Sequence, residues 1–185
     1  MALNKKVLII DTTNIVMTIT LLRENRAEIL RNENQRTHDE AINGMTGKIL
    51  AKHGLELGDI DVYAVVIGPG SWTGSRVGIA AIKGYHVIHP RPIIALNSLD
   101  IRQGKGNMPV ALHSGGDNYF IKCETGYSYE KLYTITGYLT MDNTSDIYLN
   151  NMLELTGEKY HSYDFTKIEE LDPFYVTEFK VNSKK

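Results

Sequence analysis

The apolar positions of this chain fall into short continuous runs near its start and into helical spacing further on. Val7–Ile10 is an unbroken apolar run closed by Asp11, the pattern of a buried strand. Asn14 begins a turn into a second strand, Ile15–Leu22, and Asn25-Arg26 turns the chain into a third, Ala27–Arg31. These three predict a β-meander. Thr37, with Glu40 three residues on, reads as a capping box opening a helix that runs to about His53, where Gly54 ends it. Ile42, Met45 and Ile49 share one face of that helix, with His38 one turn before them. Asp61–Ile67 predicts a fourth strand. A small-residue helix follows from Arg76 to about His86, stopping before Pro90, and Pro92–Leu96 is a fifth strand. The order is β-β-β-α-β-α-β.

Beyond Asp100 the pattern changes. Gln103–Asn107 is polar and holds two glycines, which suggests a hinge or exposed connection. Strand-like pieces follow at Val110–Leu112, Tyr119–Cys123, Leu132–Ile135 and Ile147–Leu149. Nine of the eleven tyrosines lie between Tyr119 and Tyr175, as expected for a β-rich second lobe. A base-stacking platform would also use aromatics, but no Arg/Lys groove accompanies them. The expected division is an N-terminal lobe over residues 1–100 and a smaller β-rich lobe over 101–185, ending in a polar tail at Glu178–Lys185.

The second helix is apolar on two sides. Val77, Ala80, Ala81, Gly84 and Ile88 share one face, and Ile79 and Ile82 lie roughly opposite. One side can cover the sheet, and the other requires a second surface, either the second lobe or another protein. Gly44 and Gly47 stand beside Ile42 and Met45 in the first helix. Internal glycines cost a helix about 1 kcal/mol each relative to alanine, and close helix packing would compensate. The expected partner surface is therefore His38, Ile42, Met45, Ile49, Val77, Ala80, Ala81 and Gly84.

Bulk properties narrow the setting. The 185 residues suffice for one domain or two small lobes, and the net charge of −2 provides no global basic field for nucleic acid. Cys123 is the single cysteine, so no internal disulfide framework exists and a reducing compartment is expected. Val7–Ile10 is too short for a signal peptide, and no apolar run reaches membrane-spanning length. A cytoplasmic protein without membrane contact is the expectation.

Three segments could carry chemistry. Gly68-Pro69-Gly70-Ser71-Trp72-Thr73-Gly74-Ser75-Arg76-Val77-Gly78 joins the fourth strand to the second helix. It could hold an anion at the helix start, or form a tight corner where two elements meet. No Gly-Lys-Ser/Thr ending follows, which excludes a P-loop. Asp11-Thr12-Thr13 could reach a hydrated cation and phosphate, or close the strand as an Asx turn. His113-Ser114-Gly115-Gly116-Asp117 is a third glycine turn, led by an imidazole that cannot replace a carboxylate on Mg²⁺. His86 and His89 lack a third ligand nearby in sequence, and neither a His-x-x-x-His pair nor a nucleophile-elbow string occurs.

The glycine string resembles the GPGSFTGxRxG signature of the bacterial TsaB (YeaZ) family, with Trp72 for Phe and Ser75 for Leu. Asp11-Thr12-Thr13 is similar to that family's Asp-Thr-Ser, and Asp172-Pro173-Phe174-Tyr175-Val176 to its closing Pro-x-Tyr-Leu. The resemblance is dense from about Val7 to Leu99; past Ser98 the expected helix is cut short by Gly104 and Gly106. It implies an α/β, actin-like ATPase (ASKHA, RNase H-like) fold lacking a complete ATPase site. It implies further a non-catalytic scaffold for threonylcarbamoyladenosine formation in tRNA. That scaffold binds TsaD through the two helices, or a second copy of itself when TsaD is absent, and lets TsaE join. ATP and metal are then expected on partner subunits, none on this chain alone, and tRNA only through the complex. Asp11, Thr12, Thr13, Gly68, Gly70, Ser71, Thr73, Gly74 and Arg76 are read as remnants of phosphate loops. Two other classes stay open: a free-standing actin-fold ATPase or small-molecule kinase, and an M22-type metallopeptidase.

Overall fold

The computed structural model describes residues 4–34 and 37–176. The polar tail expected at Glu178–Lys185 lies outside them. Strands β1 (Val7–Asp11), β2 (Met17–Arg23) and β3 (Arg26–Asn32) form the predicted meander. Helix α1 (His38–Ala51), β4 (Val62–Gly68), α2 (Trp72–Ile88) and β5 (Ile93–Asn97) follow. The sheet order is β3-β2-β1-β4-β5. β1 runs antiparallel to β2 (Val7 opposite Leu22, Asp11 opposite Thr18) and parallel to β4 (Val7 opposite Val62). The carboxyl ends of β1 and β4 therefore come out side by side. That edge is where open α/β sheets gather functional groups.

Alternation along the buried strands divides the core in two. Leu8, Ile10, Ile19, Leu21, Tyr63 and Val65 face one way and pack with Ile42 and Ile49 of α1 and Ile79 and Ile82 of α2. Val7, Ile9, Val62, Ala64, Val66, Ile94 and Leu96 face the other way. That second layer is covered by Ile101 of α3 (Ser98–Gln103) and by Tyr148, Leu149 and Met152 of α4 (Asp146–His161). A separate antiparallel sheet is made by β6 (Val110–Gly115), β7 (Asn118–Cys123) and β8 (Gly126–Lys131).

Several boundaries differ from expectation, each for a local reason. The β2–β3 turn is made by Glu24 and Asn25, at φ 49° and 60°, one position before the expected pair. Positive φ at both central positions is the signature of a type I′ two-residue hairpin turn, which fixes the register. Thr37 does not cap α1; its hydroxyl donates to the Asn34 carbonyl at 3.1 Å. Helix α2 begins four residues before Arg76, because Ser71 Oγ accepts the Gly74 N–H at 3.1 Å and starts the helix inside the glycine string. Ile147–Leu149 is not a strand but the first turn of α4, capped by Ser145, whose Oγ accepts the Tyr148 N–H at 3.2 Å. The third strand of the small sheet is Gly126–Lys131 rather than Leu132–Ile135.

Candidate functional site

Asp11 ends β1 with its carboxylate fully buried. Oδ1 accepts from the Thr13 N–H at 2.9 Å and the Thr13 hydroxyl at 2.7 Å. Oδ2 accepts from the Tyr148 hydroxyl at 2.9 Å and from Asn14 Nδ2 at 3.3 Å. A carboxylate offers about four lone-pair directions, and all four are used by the chain itself. Arg102, 1% exposed, closes the cluster. It donates to Asn14 Oδ1 at 2.8 Å, to the Ser98 carbonyl at 2.9 Å and to the Met141 carbonyl at 3.1 Å. Burial raises the Tyr148 hydroxyl pKa well above its ordinary value, reinforced by the Asp11 charge, so the group stays a donor.

The glycine corner packs directly on this cluster. The Ser71 N–H donates to the Thr13 carbonyl at 2.7 Å, and the Thr12 hydroxyl donates to the Gly74 carbonyl at 2.6 Å. A Cβ on Gly74 would overlap the Thr12 carbonyl oxygen, and one on Gly70 the Thr13 carbonyl oxygen. A Cβ on Gly78 would meet the Thr12 hydroxyl at 2.5 Å. Here the glycines allow one loop to lie against another. The Gly68 corner is closed too, since the Phe174 N–H donates to the Ile67 carbonyl at 2.9 Å. Thr73 and Arg76 are exposed on the first turns of α2, and the Arg76 guanidinium lies 3.7 Å over the Trp72 ring.

Hydrated Mg²⁺ with a nucleotide phosphate is what the actin-like fold implies at this corner. The residues present do not fit it. Asp11 has no oxygen left to accept from metal-bound water, and the Thr12 and Thr13 hydroxyls are both donated inward. His113 sits on an exposed hairpin, its Nε2 2.8 Å from the Gly116 carbonyl. His86 Nδ1 is 2.9 Å from the Arg91 carbonyl, and the His89 ring packs beside Gly58. Among the described residues no group of three or more His, Cys, Asp or Glu is placed to hold a metal ion.

The helix pair is sorted by depth. Ile42 and Ile49 belong to the core, and His38 is only 4% exposed. These three of the expected surface residues lie on the buried underside of α1. The helix points them at the sheet, where the apolar stripe is used. Met45, Val77 and Ala81 are half-buried on the core's margin, while Ala80 and Gly84 are exposed. Val87 and Ile88 extend the exposed face at 75% and 67%. No atom lies within 4 Å of a Cβ placed on Gly44, Gly47 or Gly84. Tyr85 ties the helices together by donating to Asn43 Oδ1 at 2.8 Å.

Tyr148, Arg102 and Asn14 went unrecognised in the sequence. An arginine directly after Leu99-Asp100-Ile101 was the available sign for Arg102, and nothing local marks Tyr148.

This meander followed by parallel strands, with helices on both faces and a glycine corner at the β4 carboxyl end, defines an actin-like fold. The family model described as TsaD, tRNA N6-adenosine threonylcarbamoyltransferase, matches residues 23–168, and the chain belongs to that family, in its TsaB (YeaZ) group. The tRNA threonylcarbamoyladenosine biosynthesis protein TsaB of Haemophilus influenzae is 34% identical over 96 residues, 52% of this chain. The chain spans 41% of that relative's length. A tRNA N6-adenosine threonylcarbamoyltransferase of Novosphingobium aromaticivorans is 35% identical over 65 residues, 35% of this chain and 19% of the enzyme. YeaZ from Pseudomonas aeruginosa superposes with a TM-score of 0.73 over 92% of this chain and 99% of that one; at 20% identity it supports the fold alone.

Proposed function

We propose that the chain is an accessory, non-catalytic subunit in threonylcarbamoyladenosine modification of tRNA. It pairs with TsaD through the outer face of α1 and α2, and TsaE joins that pair. TsaD then carries out the transfer, and ATP, metal and tRNA are engaged by the assembled complex rather than by this chain alone. Without TsaD the same face pairs two copies of the chain. The setting is the cytoplasm; among the described residues no helix is long and apolar enough to cross a membrane.

One observation carries this reading. Gly44, Gly47 and Gly84 leave open space where side chains would stand, beside exposed Ala80, Val87 and Ile88. Each internal glycine weakens its helix by about 1 kcal/mol, a loss that close approach of another helix would offset. The internally saturated Asp11 supports a scaffold over an ATPase. The test is light-scattering mass of the chain alone and mixed with TsaD from the same source. A one-to-one complex is expected, lost in Ala80→Arg, whose side chain starts from an exposed position. A monomer that ignores TsaD overturns the proposal.

A further inference from the structure

At the end of β1 away from Asp11, the sheet gathers positive charge. Arg23 and Arg26 close the β2–β3 hairpin directly opposite one another, so their Cβ atoms leave the same face about 5 Å apart. Val7 lies opposite Leu22, and one step back Lys6 comes beside Arg23. Three cations thus stand in a row across the ends of β1, β2 and β3. Like charges in opposed positions destabilise a hairpin, whereas an acid at either position would stabilise it. Departures of this kind from local consistency are expected at functional sites. Charge on an edge strand that guards against strand pairing accounts for Arg26, but Arg23 and Lys6 are not on the edge strand β3.

Among the described residues no carboxylate forms an ion pair with the side chain of Lys6, Arg23 or Arg26. Glu28, two residues past Arg26 on the same face, is held by Lys52 Nζ at 2.6 Å and by His53 Nε2 at 2.7 Å. Asp61 Oδ2 accepts the Lys6 N–H at 2.8 Å and ties the start of β1 to the start of β4. A recess of about 140 Å³ adjoins the row, lined by Asn4, Lys5, Lys6, Arg23, Glu24 and Asp61. Drug-sized ligands occupy roughly 300–1,000 Å³, so this space suits one compact ion. Lys6 and Arg23 are half-buried, and the strand ladder fixes the backbone they rise from, which preorganises the cradle.

We infer that this row binds a compact oxyanion of the phosphate class, held by Arg23 and Lys6 with Arg26 beside them. A guanidinium fork matches two oxygens of a tetrahedral oxyanion, and an ammonium adds a point charge at a third. The recess has three cations to two carboxylates, one of them engaged by backbone, and Arg26 adds a fourth cation. A bound oxyanion converts the repulsion along the row into attraction. Its source is either a free or terminal phosphate or an internal phosphodiester of a larger chain, which present the same oxygens. The site lies away from the helix face and does not depend on the accessory role proposed above, since it is tested on this chain alone.

Titration calorimetry of the full chain with inorganic phosphate, at an ionic strength held constant with chloride, should show saturable binding. The melting temperature should rise with phosphate and level off, relative to chloride at the same ionic strength. Arg23→Gln should weaken phosphate about tenfold or more, the scale of losing one charged hydrogen bond. Arg26→Gln should also weaken it, and in phosphate-free buffer should raise the melting temperature because repulsion is relieved. Arg31→Gln, on the opposite face of β3, should leave the affinity unchanged. Dimethyl phosphate, a singly charged diester, separates the two sources. Displacement of inorganic phosphate by it assigns the site to an internal phosphodiester, and no displacement assigns it to a free or terminal phosphate. Absence of saturable phosphate binding overturns the inference. So does a phosphate effect that chloride reproduces, unchanged affinity in Arg23→Gln, or a fall in the phosphate-free melting temperature of Arg26→Gln.

Discussion

The Tyr148 hydroxyl donates to Asp11 Oδ2 at 2.9 Å, joining the fourth helix to the first strand across 137 positions of sequence. Asp11 stands at the carboxyl end of β1, where an actin-like ATPase would direct a carboxylate at its ligand. Here α4 supplies the partner. A fully buried charge needs its hydrogen bonds complete, and Tyr148 provides the one that the β1–β2 turn cannot reach.

Tyr148→Phe keeps the buried ring and deletes only this donor. Oδ2 is then left with Asn14 at 3.3 Å, and the expected loss is about 1–3 kcal/mol of unfolding free energy. Urea denaturation measures it. Arg102→Met should cost more, because it leaves two carbonyls and Asn14 without their donor. The two losses should combine to less than their sum, since both side chains belong to one network. An unshifted midpoint in Tyr148→Phe would mean that the α4 tie contributes nothing.

Gly74→Ala and Gly84→Ala make the same chemical change in one helix and should move stability in opposite directions. At Gly84 the new methyl meets open space, so the usual helix preference should raise stability by up to about 1 kcal/mol. At Gly74 the methyl overlaps the Thr12 carbonyl oxygen, which is backbone and cannot turn aside. The strain should exceed the propensity gain and lower the melting temperature. Equal shifts in the two variants would show that the β1–β2 turn yields more readily than its hydrogen bonds suggest.

The same pair marks the limit of what could be read from the chain. Strand β1 was legible to the residue, because a continuous apolar run ending in an acid has few alternatives. The start of α2 was not. Its first turn is written in glycine, serine and threonine, and only the Thr12 and Thr13 backbone explains why glycine stands there. Helix α4 was hidden for a different reason. Its buried face is Tyr148, Leu149, Met152 and Thr156, a stripe in which a short Ile-Tyr-Leu run imitates a strand. The helical alternative appears only when the spacing continues to Thr156. The orientation of α1 was half legible. Periodicity found the stripe of α1, but it could not tell that His38, Ile42 and Ile49 face the sheet and that the glycines face outward.

His38 should make the fold acid-sensitive. Its side chain is buried at the start of α1, and Nε2 has no hydrogen-bond partner among the described residues. Burial lowers its pKa below the ordinary 6.5, outweighing the carbonyls of Ile15 and Asn32 and the charges of Asp11 and Asp39, which favour the protonated form. The unfolded chain therefore takes up a proton near pH 6.5 that the folded chain refuses. Stability from this group is present above that pH and declines as pH falls toward the folded value. The urea midpoint, followed from about pH 7.5 down to about 5.5, should drop in the wild type. His38→Gln retains polar atoms without titrating, and the part of the drop due to His38 should vanish. Parallel curves for the two proteins would place the acid sensitivity elsewhere, and α1 would then be anchored independently of the charge on His38.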